Sequence, residues 1–327
     1  MLILTKKELE QALSMQEAIE IDKQALANYS AGKTAVPLRT NLALPETDNT
    51  SLCMPAYVGG TEPALGVKII SVYPENIQKG LPSVPATMVV LDPATGIVSA
   101  ILEGTYLTQL RTGAVQGAAT DLLARQDAKI AALIGTGGQA ATQLLAMDTV
   151  RALDEIRVYD QDLARAAEFV TQQQSKVRAK LVTASTSQVC VEGADIITSV
   201  TTAKQATFSA EWVKPGAHIN GVGAFTPEMV ELPAEIIQRA ATIFFDTYEG
   251  VWAEAGDFIQ PLQKGLIKKS DITGELGELV LGKVAGRKSK DAITIFKTVG
   301  SAVLDVAVAQ AITKQALTKG LGQNITL

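Results

Sequence analysis

An α/β fold is the expectation for this 327-residue chain: a doubly wound parallel sheet over residues 116–299, preceded by a strand-rich, mostly antiparallel domain over residues 1–115. Three observations predict it. A glycine turn, Gly135-Thr136-Gly137-Gly138, follows the apolar run Ile130 to Ile134 and precedes an Ala/Leu stretch at helical spacing. From Lys129 onward, short apolar runs recur with helical stretches between them, the alternation that builds a parallel sheet with helices on both faces. Before Glu103 the runs are joined by short turns instead, as antiparallel strands are.

Taken in order, the chain opens on a helix from Lys6 to Ser30, with Thr5 as N-cap and Glu8 three residues on, a capping-box pair. The polar AGKTAVP ends it. RTNLALP alternates as a strand does, and LCMPAYV and ALGVKIISVYPEN read as two more strands around Gly59-Gly60. ATMVVLDPATGIVSAILEG predicts a hairpin, because its two apolar runs are joined by Asp-Pro-Ala-Thr-Gly with Pro early and Gly late in the turn. At Thr105 the period becomes helical through TYLTQLRTGAVQGAATDLLAR, which carries Arg111 and Thr112. KIAALI, EIRVYD, AKLVTA, DIITSV, HINGVG and ATIFFD then supply parallel strands, and AITIFKTVG adds a last one. SAVLDVAVAQAITKQAL predicts a closing helix too apolar to stand alone, so it packs back on the N-terminal domain or on a second subunit.

Composition narrows the function. A net charge of −5 and a pI near 5.2 argue against nucleic acid, whose binding domains are basic on at least one face. MLILTKKELEQAL turns charged after a very short apolar run, unlike a signal peptide or a membrane span, so the expectation is a cytoplasmic protein with no membrane partner. Cys53 and Cys190 are too few for a disulfide framework and form no metal-ligand spacing, so no metal is expected. His218, the only histidine, stands in the alternating AHINGV and reads as a strand residue with a satisfied ring. Proton transfer therefore falls to Lys, Asp, Glu or water.

The glycine turn is the start of a dinucleotide site. Gly135, Gly137 and Gly138, with Thr136 and Gln139 between and after them, allow a sharp turn and close approach of the backbone to a pyrophosphate, whose charge then lies on the N–H groups that open the helix. Ala140 takes the third position of the G-x-G-x-x-G/A pattern. IRVYD then ends on Asp160, at the distance along the chain where an acid meets the adenosine ribose. That carboxylate favours NAD(H) by repelling a 2′-phosphate; Arg165 leaves NADP(H) possible.

Three basic residues stand in apolar or glycine-bearing surroundings: Arg39 in VPLRTNLAL, Lys68 in LGVKIISVYP and Arg111 in TQLRTGAV. Each alone reads equally as a solvent-facing strand or helix position. As a set they suggest an anion pocket, since Arg offers a planar fork matched to a carboxylate and Lys a compact charge beside it.

GVKIISVYPEN, VVLDPATGIVSAILEG, TQLRTGAVQGAAT, IGTGGQA and HINGVGAFTPEMVEL occur here in the order and spacing of the ornithine cyclodeaminase and μ-crystallin family, which the chain resembles over most of its length. The resemblance implies a homodimer, a discontinuous N-terminal dimerisation and substrate domain joined by the C-terminal helix of residues 300–327, a Rossmann domain, and an amino acid or cyclic imine bound between the two. By position, Arg39, Lys68 and Arg111 match the residues that hold the substrate α-carboxylate and its nitrogen, and Ser83 falls where ornithine cyclodeaminase has a threonine. Thr112, Thr201 and Thr202, the backbone of Val222 and Gly223, and Lys297 match segments laid against the cofactor. For Lys297, Glu254 and Asp257, interdomain pairing stays an open alternative.

The departure from the family pattern lies in VGAFTPEMVEL. Ornithine cyclodeaminase has an aspartate where this chain has Phe225, and an aromatic ring can neither accept a proton nor pair with an ammonium group. The reading is therefore NAD(P)H-dependent reduction of a cyclic ketimine carboxylate, Δ1-pyrroline-2-carboxylate to L-proline, with Lys68 as proton donor or orienter and Arg39 and Arg111 clamping the carboxylate. Two alternatives stand beside it: ornithine cyclodeamination with Glu228 replacing the missing acid, and a μ-crystallin-like binding protein with little activity.

Overall fold

The computed structural model describes residues 1–47 and 49–326, with Ile77 described by its backbone alone. The chain divides into two compact units, Met1–Arg111 with Ser301–Leu327, and Thr112–Gly300. No helix among the described residues is long and apolar enough to cross a membrane.

The first unit contains β1 (Leu2–Leu4), β2 (Thr34–Ala35), β3 (Thr40–Ala43), β4 (Thr50–Val58), β5 (Ala64–Val72), β6 (Ala86–Leu91) and β7 (Val98–Glu103). Its sheet runs from the C-terminal strand Gln323–Asn324 through β1, β7, β6, β5 and β4 to β2, with β3 also on β4. Among the described residues only the β1–β7 pairing of this sheet is parallel. The β6–β7 hairpin turns as its residues predict: the Asp92 carboxylate accepts the N–H groups of Ala94 and Thr95 at 2.7 and 3.1 Å, and Gly96 takes a left-handed φ of 73°.

Register decides which side chains of this sheet are buried. Lys68 lies opposite Met54 on β4 and Met88 on β6, and all three face the interior. The helix Ala302–Lys319 packs over β4, β5 and β6, so the closing helix returns to the N-terminal unit. Gly66 makes room for it, since a Cβ there would lie 2.6 Å from Met88 Cε and 3.6 Å from Val306. The opposite face is apolar and open: Leu42 is 65%, Ile69 49% and Tyr57 39% exposed, with Cys53 paired to Ile69.

The long first helix of the sequence reading is two helices, Lys6–Ala12 and Met15–Ser30. Leu13 is extended, and Ser14 starts a second capping box: its Oγ accepts the Glu17 N–H at 3.3 Å while its own N–H donates to Glu17 at 2.9 Å. The pair Ser14/Glu17 repeats the Thr5/Glu8 signal nine positions later, so the chain restarts the helix.

The second unit is a wholly parallel sheet of β8 (Ile130–Ile134), β9 (Glu155–Tyr159), β10 (Lys180–Thr183), β11 (Ile196–Ser199), β12 (His218–Gly221), β13 (Thr242–Phe245), β14 (Gly274–Glu275) and β15 (Thr294–Lys297). Their order is β10-β9-β8-β11-β12-β15-β13-β14. The order reverses at β8 and β11, which makes the C-terminal ends of these strands the crevice where open α/β sheets bind ligands. His218 is fully buried, with Nδ1 2.9 Å from Thr294 Oγ1 and Nε2 3.0 Å from Asn220 Oδ1, and burial pushes its pKa down to about 3.

Candidate active site

The glycine turn leaves β8 and leads into the helix Ala140–Val150. Gly135 has φ 98°, and a Cβ on it would meet the Val200 carbonyl oxygen at 2.6 Å, so only glycine fits between β8 and the end of β11. Gly137 and Gly138 are exposed, and a Cβ at Gly137 would touch nothing within 4 Å. The turn is an open shelf at a helix N-terminus.

Asp160 stands just past β9 and faces the same turn. Its Oδ2 accepts the Thr136 N–H at 2.9 Å and the Thr136 hydroxyl at 2.8 Å. Oδ1 accepts the Asp162 N–H at 3.0 Å, and Arg165 Nη2 donates to both oxygens at 2.8 and 2.7 Å. Burial raises the pKa of this carboxyl, but the bonds from Arg165, Asp162 and Thr136 outweigh it and hold the group ionised below the usual carboxylate range. The glycine shelf, the free helix N-terminus and an ionised acid at the end of the second strand suit a dinucleotide.

A cationic cluster lies in the first unit. Lys68 Nζ donates to Asp305 Oδ2 at 2.6 Å, and Arg111 Nε donates to Asp305 Oδ1 at 2.9 Å. Lys68 and Asp305 are fully buried and Arg111 is nearly so. Burial drives the Lys68 pKa from 10.5 to about 7, against the pull of Asp305 and with the help of the Arg111 and Arg39 charges. Burial also raises Asp305, yet Arg111 and Lys68 together hold its carboxyl below the ordinary range. Arg111 Nη1 is buried with no hydrogen-bond partner among the described residues, a donor left over for an incoming carboxylate.

Asp22, on the helix Met15–Ser30, is fully buried near the same charges, and neither of its oxygens has a partner among the described residues. Burial raises its pKa well above the carboxylate range; Arg111 opposes this and Asp305 adds to it, so the neutral acid is favoured. Asp305 and Asp22 are absent from the sequence reading. The one available signal for Asp305 is an acid inside the otherwise apolar SAVLDVAVAQ.

Of the other residues singled out from sequence, Arg39 is half-buried between β2 and β3. Ser83 stands in the loop before β6, where its carbonyl accepts the Tyr73 N–H at 2.8 Å; no bond joins it to Lys68 or Arg111 among the described residues. Thr112 is buried on the helix Gly104–Leu123 one position past Arg111, and Gln139 caps the helix that Ala140 opens. Thr201 and Thr202 leave β11, and Val222 and Gly223 leave β12. Phe225, half-buried, packs against the apolar core of the second unit. Glu228 is fully exposed and hydrogen-bonds to Thr226.

Lys297 is paired within the second unit. Its Nζ lies 2.8 Å from Asp257 Oδ2 with both side chains fully buried. The described residues include no group of His, Cys, Asp and Glu able to hold a metal ion.

Comparison with known proteins finds relatives that match over nearly the whole length. Residues 1–320 match the model of the ornithine cyclodeaminase/mu-crystallin family. A Δ(1)-pyrroline-2-carboxylate reductase of Bacillus cereus is 38% identical over 325 residues, covering 99% of each chain. The structure of the Thermococcus litoralis Δ(1)-pyrroline-2-carboxylate reductase in complex with NADH and L-proline superposes with a TM-score of 0.95 at 39% identity, covering 99% of this chain and all of that one. An archaeal alanine dehydrogenase dimer with bound NAD follows at a TM-score of 0.91 and 34% identity, covering 100% of this chain and 99% of that one. The chain belongs to the ornithine cyclodeaminase/μ-crystallin family.

Proposed function

We propose that this protein reduces a cyclic ketimine carboxylate with NADH, converting Δ1-pyrroline-2-carboxylate to L-proline. The observation that carries the reading is the pair Lys68 and Arg111: a buried lysine with a pKa of about 7 beside a guanidinium whose buried Nη1 is unspent. Arg111, with Arg39, binds the substrate carboxylate through charge-assisted hydrogen bonds. Lys68 donates a proton to the imine nitrogen, a task for which a pKa near the working pH is suited. NADH, when bound, would supply the hydride for the imine carbon, so that with the proton from Lys68 C=N becomes CH–NH. Neutral Lys68 then recovers its proton from solvent.

The glycine turn and Asp160 hold the dinucleotide, and the ionised Asp160 favours NADH; Arg165 on that carboxylate gives NADPH a second-best partner. The similarity to reductases acting on this imine supports the substrate, as does the aromatic Phe225 in place of an acid. Glu228 does not support ornithine cyclodeamination, because an exposed carboxylate bonded to Thr226 is no substitute for an acid facing a buried ammonium. The protein is a homodimer in this reading, formed through the open apolar face of Leu42, Tyr57 and Ile69. We place it in the cytoplasm, where its free thiols Cys53 and Cys190 stay reduced.

The test is a panel of substrates against NADH and NADPH: Δ1-pyrroline-2-carboxylate, its six-membered homologue, pyruvate with ammonia, and ornithine with NAD⁺. Cofactor oxidation with the cyclic imines, lost in Arg111→Ala while NADH still binds, is expected. Turnover of pyruvate or ornithine alone, or none at all, overturns the proposal.

A further inference from the structure

Among the buried acids of the second unit that catalysis does not use is Glu231. Its Oε1 accepts the Ser199 hydroxyl at 2.7 Å, the Thr201 N–H at 2.6 Å and the Thr201 hydroxyl at 3.0 Å. Its Oε2 accepts the N–H groups of Gly223 and Ala224 at 2.6 and 2.9 Å. One carboxylate thus joins the chain leaving β11 to the chain leaving β12. The two segments also touch directly: a Cβ on Gly223 would lie 2.1 Å from the Thr201 carbonyl oxygen and 2.2 Å from its nitrogen.

Glu231 is itself held from below. Asp257 Oδ1 accepts the N–H groups of Glu231 and Leu232 at 2.6 and 2.9 Å, and Asp257 Oδ2 pairs with Lys297 at the end of β15. Burial and the Asp257 charge raise the Glu231 pKa, while the Lys297 charge and the donors from Ser199 and Thr201 oppose them. A fully buried acid is costly to keep unless its oxygens are satisfied. Here the satisfied partners are the backbones of the strand ends at which α/β sheets bind their ligands.

We infer that Glu231 is a positioning residue for the cofactor: it sets the spacing of the β11 and β12 exits, and with it the backbone of Thr201–Thr202 and Val222–Gly223 that receives the dinucleotide. The inference rests on the cofactor reading above. Glu231→Gln keeps the size and shape, but its amide must point N–H against N–H, either at Thr201 or at Gly223 and Ala224, so one exit is released.

The experiment is NADH titration by fluorescence on the full-length wild type and E231Q, with hydrogen exchange of residues 201–203 and 222–224 and a thermal melt. The expected result is an NADH Kd raised about tenfold or more in folded E231Q, with faster exchange confined to those two segments. A melting point that falls while the Kd stays within about twofold means a structural role only, and overturns the inference. If E231Q does not fold, Gly223→Ala keeps the carboxylate but drives a Cβ to 2.1 Å from the Thr201 carbonyl oxygen and 2.8 Å from Glu231 Oε1, straining the same bridge; a raised Kd supports the inference and an unchanged one overturns it. Wild-type protein that fails to bind NADH overturns the functional reading and this inference together, whereas wild type that binds beside variants that bind equally well overturns this inference alone.

Discussion

Replacing Asp305 by Asn removes the negative charge that Lys68 and Arg111 share, at bonds of 2.6 and 2.9 Å, while keeping the side chain's shape. Breaking a buried ion pair costs about 3–5 kcal/mol, because the partner is left charged without compensation. Here the two partners respond differently. Lys68 already has a pKa of about 7, and losing Asp305 removes the strongest influence raising it, so it discharges at neutral pH and escapes most of the penalty. Arg111 cannot discharge.

The loss of stability therefore falls near the lower end, about 3 kcal/mol, or roughly 6–12 °C in melting temperature. The catalytic consequence is separate. A step that needs the Lys68 ammonium is active below its pKa and fails as pH rises through it, so the wild-type rate falls through about pH 7. In D305N that alkaline limb moves down by about one unit or more, with turnover partly regained on acidification. Thermal melts and pH profiles of NADH oxidation on both proteins read the two effects. A D305N profile superimposed on wild type, with the melting point within about 2 °C, refutes the view that Asp305 tunes Lys68.

Lys68→Met keeps an unbranched buried chain without an ammonium; turnover of the imine is expected to fall about 10²–10⁴-fold with NADH affinity unchanged, and wild-type turnover would remove Lys68 from proton transfer. His218 is neutral in the fold, with a pKa of about 3 against 6.5 in the open chain, so the unfolded state binds the extra proton between those values and acidification through that window costs up to about 1.4 kcal/mol per pH unit. His218→Asn lacks this component: urea unfolding at pH 7, 6, 5 and 4 should show a shallower acid loss than wild type, and equal slopes would contradict it. Ile69→Glu places a charge on the open sheet face of the first unit and is expected to halve the mass measured by light scattering; a mass unchanged from wild type would move the subunit contact elsewhere.

What could be read in the sequence is what short-range pattern encodes. The strand, glycine turn, helix and acid of residues 130–160 form a contiguous signal, and the structure has β8, the turn, the helix from Ala140 and Asp160 in that order. The β6–β7 hairpin announces itself through Asp92 and Gly96 in the same way. The break at Leu13 was also local: Ser14 and Glu17 carry it, but an apolar period continuing on both sides hides a second capping box. The charged residues of the interior are another matter. Lys68 looks like a solvent-facing strand position until pairing with Met54 and Met88 turns it inward, and register is a property of three strands, not of one.

Its partner Asp305 lies 237 residues away, and Arg111 meets the same acid from 194 residues away. An isolated acid in an apolar helix has no periodicity to separate it from a polar stripe, and the partner of Lys297, Asp257, is likewise on another element. Such residues are also the costliest to bury alone, so each presupposes its partner. A lone ionisable residue in an apolar segment is therefore best read as half of a pair, and the sequence question becomes which other apolar segment carries an unexplained opposite charge. In this chain that question links LGVKIISV and TQLRTGAV to SAVLDVAV, the three segments whose charges meet at Asp305.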